Sequence, residues 1–274
     1  MKTYLFATAS LLMVSMLAAT PALAQEEPSG PITVSGSIAL VSDYRFRGVS
    51  QSDEELAVQG GFTVTHESGL YGGAWASNLA GWGTFGGSNT ELDLYAGFKV
   101  PVGGGALDVG LTWYMYPGGA NKTDFAEPYV KLSGTAGPVS LLAGVAYAPK
   151  QEALGNWSNT PQSRLGDKED NLYLWGDISS GIPDTGLTLK GHIGYSDGNP
   201  GLGPNGTSVA PTGKYWDWMV GADYVLGPLV LGISYVDTDI SKAGSAYLLP
   251  NLSNTDSGAS IVNGGIVLSV SAAF

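Results

Sequence analysis

An all-β fold, a transmembrane antiparallel up-and-down β-barrel of about 12 strands, is predicted by three observations on this chain. Segment after segment alternates apolar with polar or small residues. The connections between those segments alternate short and long. An export-type N-terminus is followed by no apolar stretch long enough for a membrane-spanning helix.

The N-terminus fixes the compartment. Lys2 supplies a short positive region, residues 4–19 an apolar region, and Ala22-Leu23-Ala24 a small-residue cleavage site. Residues 1–24 are therefore expected to be a cleaved signal peptide and residues 25–274 a single outer-membrane barrel domain. The apolar run falls short of the roughly 20 residues of a span. No cysteine follows the cleavage site for a lipid anchor, and the chain has none at all, which excludes disulfides and thiolate metal sites. Charged residues make up 13%, well below the quarter or so of soluble domains. Without Lys2, the 12 basic residues fall to 11 against 24 acidic ones, a net charge of −13, which argues against a nucleic-acid partner.

The first alternating segment, 32–49, sets Ile32, Val34, Ile38, Leu40, Tyr44 and Phe46 against Ser35, Ser37, Asp43, Arg45 and Arg47. The second, 55–67, sets Leu56, Val58, Phe62 and Val64 against Glu55, Gln59, Thr63 and Thr65. The third, 70–78, is less regular, with Tyr71 and Trp75 read as outward. In the fourth, 91–100, Leu92, Leu94 and Phe98 oppose Glu91, Asp93, Tyr95 and Lys99. In the fifth, 107–116, Val109, Leu111 and Trp113 oppose Asp108, Thr112 and Tyr114. The sixth, 127–133, gives Val130 and Leu132 against Glu127, Tyr129 and Lys131.

The second half repeats the pattern. Leu141, Val145 and Tyr147 oppose Ser140, Gly144 and Ala146 over 139–148. Leu172, Leu174 and Ile178 oppose Asn171, Tyr173 and Asp177 over 171–178. Leu189, Ile193 and Tyr195 oppose Lys190, His192 and Ser196 over 187–196. Trp216, Trp218 and Val220 oppose Tyr215, Asp217, Gly221 and Asp223 over 215–226. Leu231, Ile233 and Tyr235 oppose Gly232 and Ser234 over 229–236. The last segment, 266–274, carries Ile266, Leu268, Val270, Ala272 and the terminal Phe274 on one face.

Connections at 67–69, 101–105, 134–138, 179–186 and 227–228 are short. Those at 80–89, 117–124, 149–169, 197–214 and 237–260 are long, and 49–54 is the one short member of that end. Short periplasmic turns and longer extracellular loops are the bacterial outer-membrane pattern. Tyr44, Phe46, Trp113, Tyr147, Tyr195, Trp216, Trp218 and Tyr235 fall on lipid-facing registers near the extracellular end. Phe274 marks the periplasmic one, as an interface and assembly residue.

The run Val41-Ser42-Asp43-Tyr44-Arg45-Phe46-Arg47-Gly48-Val49-Ser50-Gln51-Ser52, the later Gly69-Leu70-Tyr71-Gly72-Gly73-Ala74-Trp75-Ala76-Ser77-Asn78 and the Glu91-Leu92-Asp93-Leu94-Tyr95-Ala96-Gly97 run resemble the TorF-type porin family of proteobacterial outer-membrane barrels. The resemblance covers essentially all of residues 25–274. It implies a Gram-negative outer-membrane barrel with a pore, and supplies neither a substrate nor catalytic residues.

The inward face carries the pore-lining candidates Asp43, Arg45, Arg47, Glu55, Glu91, Asp93, Lys99, Asp108, Glu127, Lys131, Asp177, Lys190, His192, Asp217 and Asp223. Rings of charge tune channel selectivity, and about 12 strands lie between a filled barrel and a wide pore. A narrow, weakly cation-preferring pore for ions and small polar solutes is expected. The alternative is a closed barrel acting as a structural, adhesive or receptor module through its loops. Arg45 and Arg47 lie near Glu55 in sequence, either as a cross-strand ion pair or as the basic side of a constriction. Neither His66 nor His192 sits in a recognisable catalytic pattern, so no enzyme is expected. No cofactor or metal is expected, and the acidic runs at 167–170 and 237–239 lack the pattern of a calcium loop. The expected partners are outer-membrane lipid and lipopolysaccharide, the barrel-assembly machinery through the last strand, and the permeating solutes. Oligomeric state is left open.

Overall fold

The alternation predicted from the sequence becomes a ring of hydrogen-bonded strands. The computed structural model describes residues 30–120, 122–155, 166–202 and 208–274; the expected signal peptide lies outside them. In chain order come β1 (Ile32–Val41), β2 (Arg45–Phe46), β3 (Val49–Ser50), β4 (Ala57–His66), β5 (Leu70–Asn78), β6 (Thr90–Val102) and β7 (Gly105–Met115). The second half adds β8 (Phe125–Ala136), β9 (Val139–Gln151), β10 (Glu169–Gly181), β11 (Leu187–Gly198), β12 (Lys214–Leu226), β13 (Leu229–Thr238) and β14 (Gly265–Ala273).

Twelve strands, β1 and β4 to β14, close into an antiparallel barrel in which chain neighbours are sheet neighbours. The seam joins β1 to β14 from Ser37 opposite Ala273 to Val41 opposite Ser269. Backbone bonds between Gly36 and Phe274, 2.7 and 2.9 Å, extend it to the last residue. The Phe274 ring points outward and is 76% exposed.

Polarity is inverted relative to a water-soluble protein. Ile38, Leu94, Val109, Leu132, Leu189, Val220, Ile233 and Ile266 are exposed on the outside, whereas Asp108, Glu127, Lys131, Asp177, Lys190, Asp217 and Asp223 are buried within. A continuous apolar belt of this kind suits a wall in contact with hydrocarbon, because closing the ring satisfies every backbone polar group without water. The lumen is lopsided. On β6 to β12 its wall is lined by large buried side chains such as Tyr95, Tyr114, Tyr129, Tyr173 and Tyr215. On β13, β14, β1 and β4 many inward residues are small and half-buried, including Ser234, Ser269, Ser271, Ser35, Ser37 and Gly61, while Val41, Ala57, Thr63, Val230 and Val236 are buried. Rings on the crowded side lie flat along the wall. Trp175 covers Gly144, its direct cross-strand partner, where any Cβ would overlap the indole.

Two expectations are corrected by the architecture. The first strand ends at Val41 rather than continuing to residue 49, because Val41 is already opposite Ala57, the first residue of β4. Residues 42–56 therefore form one connection, which folds into the barrel; it is not the short loop expected at 49–54. Alternation runs on to Arg47 only because β2 belongs to a second, two-stranded sheet with β3, and any strand has period two. The second correction is the phase of β5. Tyr71 and Trp75 point inward, opposite Gly97 and Asp93, and after the exposed Leu70 the outward positions are the small Gly72, Ala74 and Ala76. Size misled the sequence reading here: the large rings have inward partners. The Tyr71 hydroxyl donates to Asp108 at 2.5 Å and bonds the Tyr129 hydroxyl, while Trp75 meets Tyr44 edge-on at 5.5 Å.

Candidate functional site

The inward-folded connection 42–56 is the centre of the site. β2 and β3 pair Arg45 with Ser50 and Phe46 with Val49, leaving Arg47-Gly48 as a two-residue tip. Both tip residues have positive φ, +49° and +80°, as hairpin turns that match strand twist require. Gly48 is also pressed against Thr238, so a side chain would not fit. Arg47 holds the left-handed conformation without a glycine's freedom, which is unfavourable by itself and needs external contacts to hold it.

Those contacts reach across the barrel. Arg47 Nη2 donates to both carboxylate oxygens of Glu127 on β8 at 2.7 Å, and the guanidinium lies over the ring of Tyr173 on β10 at 4.2 Å. Phe46 meets Tyr114 of β7 edge-on at 5.9 Å. Tyr44, only 1% exposed, donates its hydroxyl to Glu91 of β6 at 3.1 Å. Arg45 bonds Asp43 at 2.6 Å, Glu54 at 3.5 Å and the carbonyl of Asn263 at 2.7 Å. Burial raises the Glu54 carboxyl above its ordinary range, against the opposing pull of Arg45.

The last long connection, 239–264, holds the hairpin from above. Ser50 donates its backbone N–H to Ile261, Asn254 bonds the carbonyl of Asp53, and the Thr255 hydroxyl bonds the Asp53 carboxylate. Leu248, Leu252, Ile261 and Val262 are buried there against Val49, Trp82 and Tyr215. The barrel mouth is thus capped by an apolar cluster resting on a charged hairpin.

Below the hairpin, inward charges are matched. Lys131 pairs with Asp108 at 3.1 Å and Lys190 with Asp223 at 2.6 Å. His192 Nδ1 lies 2.6 Å from Asp177, and its Nε2 lies 3.2 Å from Asp217 and 2.9 Å from the Tyr173 hydroxyl. Tyr173 therefore links the imidazole to the ring face that carries Arg47. Glu91 and Asp93 stand apart: among the described residues no ion pair involves either.

The sequence-predicted residues divide accordingly. Asp43, Arg45, Arg47, Glu91, Asp93, Asp108, Glu127, Lys131, Asp177, Lys190, Asp217 and Asp223 are buried inside the barrel, and His192 and Lys99 are half-buried on inward positions. Glu55 is not among them. It is exposed in the connection before β4, and Arg45 and Arg47 instead take Asp43, Glu54 and Glu127. Tyr44 and Phe46, expected at a lipid interface, pack inside, because residues 42–56 leave the barrel wall. Trp113, Tyr147, Tyr195, Trp216, Trp218 and Tyr235 lie on outward positions toward the long-loop end. There Tyr147 and Tyr235 turn their hydroxyls to the loop-side carboxylates Asp170 and Asp237, at 2.7 and 2.8 Å. His66 takes part in a turn: its Nδ1 accepts the Ser68 N–H at 3.1 Å.

Sequence reading missed the aromatic lining around Glu91 and Asp93. Part of its signal was present in the inward register of Tyr114 on β7, but the wrong phase of β5 hid Trp75.

The model of a family described as bacterial proteins of unknown function, Gcw_chp, matches residues 25–274. No curated protein matches the chain. Among solved structures it is similar to a porin at 12% identity, covering 89% of this chain and 100% of that one with a TM-score of 0.41. It is also similar to Salmonella typhi OmpF in complex with daunomycin, at 10% identity over 89% and 97% of the chains, TM-score 0.42. A third is the outer-membrane channel DcaP of Acinetobacter baumannii, at 12% identity over 89% and 97%, TM-score 0.38.

Proposed function

This chain belongs to the Gcw_chp family of bacterial proteins of unknown function, and from that premise we propose that it is a porin-like barrel of the Gram-negative outer membrane. In this reading it carries ions and small polar solutes along a narrow path, constricted by the hairpin at 42–56. One observation carries it: a polar lumen inside an apolar belt, with small half-buried side chains from β13 through β14 and β1 to β4 leaving room beside the hairpin. The resemblance of its first motif to TorF-type porins supports the same reading. The inward acids outnumber the inward bases, which favours cations in a low-dielectric channel. A membrane setting also accounts for the outward aromatics at the loop end.

Purified protein in a planar bilayer tests this. A small conductance with a reversal potential displaced toward the cation equilibrium potential is expected in a salt gradient. Anion preference would count against the assignment. Absence of any conductance would favour a second reading, supported by the buried inward charges and the apolar cap. In that reading the barrel is closed and its loops act as a binding or structural module.

Phe274 enters the proposal through assembly. It makes the last bonds of the seam, and its ring faces outward, where the barrel-assembly machinery and lipid meet the final strand. Deleting Phe274 is expected to lower the amount of folded protein in the outer membrane, read by heat-modifiable gel migration. Conductance of the inserted fraction should be unchanged. Undiminished insertion would remove the assembly role.

A further inference from the structure

We propose that Glu91 and Asp93 form, with the aromatic side chains beside them, a lumenal binding site for an alkylammonium group. Both acids lie on the inward face of β6 and both are 2% exposed. Every other buried carboxylate on the inner face of a barrel strand meets a basic side chain: Asp108, Glu127, Asp177, Asp217 and Asp223 each have one. Glu91 receives the Tyr44 hydroxyl. Among the described residues, neither carboxylate oxygen of Asp93 has any hydrogen-bond partner, and the inward Thr112 hydroxyl on the neighbouring strand is likewise unpartnered. An ionised carboxylate removed from water without a donor or a cation is strongly unfavourable, and a positively charged occupant seated between these acids removes that cost.

The surroundings select the kind of cation. Asp93 sits directly between Trp75 on β5 and Tyr114 on β7. Phe125 stacks on Tyr114 at 4.5 Å, and Tyr44 closes over Trp75. A row of rings flanking an acid is the recognition chemistry of an organic ammonium ion, whose charge is shared between carboxylate and aromatic faces. The three donors of a primary ammonium fit the unpartnered acceptors of Asp93 and the free capacity of Glu91 and Thr112. A hard divalent ion needs six or more oxygens, or an octahedral shell with its waters, and among the described residues no three acids or imidazoles converge as a metal site. Tyr44 roofs the site, with its hydroxyl on Glu91 and its ring edge-on to Trp75.

As a station on the proposed solute path the site rests on the porin reading, but binding can be measured without conduction. The experiment is calorimetric titration of the folded full-length mature barrel in detergent with butylammonium chloride at constant ionic strength, with potassium and magnesium chloride in parallel. Saturable one-site binding of butylammonium is expected, weakened on the order of tenfold or more by Asp93→Asn. Because that side chain makes no hydrogen bond, the variant should fold. Glu91→Gln gives a second reading of the same loss, and gel migration verifies folding of both. Tyr114→Leu should weaken binding while Asp197→Asn, at a strand end, should not. No saturation, an unchanged affinity in both carboxylate variants, or equal binding of potassium each overturns the proposal. Binding that persists in a barrel without conductance would retain the site and reject the pore.

Discussion

Replacing residues 42–56 with a short Gly/Ser turn is expected to raise the single-channel conductance severalfold and to leave the barrel assembled. The geometry permits the excision. Val41 and Ala57 face each other as a cross-strand pair, so a tight turn can join β1 to β4 directly, as at the other hairpins. The paired registers of the barrel strands lie outside the removed residues. What is lost is the bulk of Tyr44, Phe46 and Arg47 across the lumen, the two bonds by which Ser42 extends the seam to Leu268, the bond of the Gln51 carbonyl to Ala80, and the support of connection 239–264 through Asp53 and Ser50. Glu127 then loses its cation and adds to the acidic lining, so cation preference should strengthen together with conductance. The measurement is a single-channel recording of both proteins in the same salt gradient. An unchanged conductance would show that current does not pass the hairpin.

The second large effect concerns the Arg47–Glu127 pair. Both side chains are almost completely buried, 5% and 1% exposed. Removing one partner of such a pair leaves an uncompensated charge and typically costs about 3–5 kcal/mol, whereas replacing both with apolar groups of similar volume is often neutral or stabilising. Arg47→Met alone and Glu127→Leu alone should each loosen the hairpin and lower the thermal transition of the folded barrel. The double variant should recover most of that loss, since Tyr114, Phe46 and Tyr173 already offer apolar surface around the tip. A double-mutant cycle on urea unfolding in detergent reads this as a large coupling energy. Additive single effects would mean that the pair does not hold the hairpin. The Arg47→Met recording should also resemble the excised channel more than the native one, because the left-handed tip has lost the contact that holds it in place.

Much of the architecture was legible from local pattern. For nearly every segment after residue 56, the sequence reading placed the inward and outward residues on the faces they occupy, because a pleated strand offers only two faces and lipid demands one of them. β5 was the failure. Between Leu70 and Asn78 its outward residues are only glycine and alanine, so the size of Tyr71 and Trp75 pointed the wrong way, and the pairing of Trp75 with the inward Asp93 sets the phase. The inward placement of Glu91, Asp93, Glu127 and Arg47 was legible too. Their partners were not, since the Arg47–Glu127 contact joins residues 80 positions apart across the barrel interior.

The sequence by itself determined the ring: its strands, its polarity and the end that carries the long loops. Those follow from period-two alternation and from the spacing of turns, which are local properties. Only the tertiary structure decided what occupies the ring. Tyr44, Arg45, Phe46 and Arg47 alternate like the barrel strand before them, and nothing local distinguishes continuation up the wall from a turn into the lumen. That choice belongs to Glu127, Tyr173, Glu91 and the capping connection, which become neighbours of the hairpin once the barrel has closed.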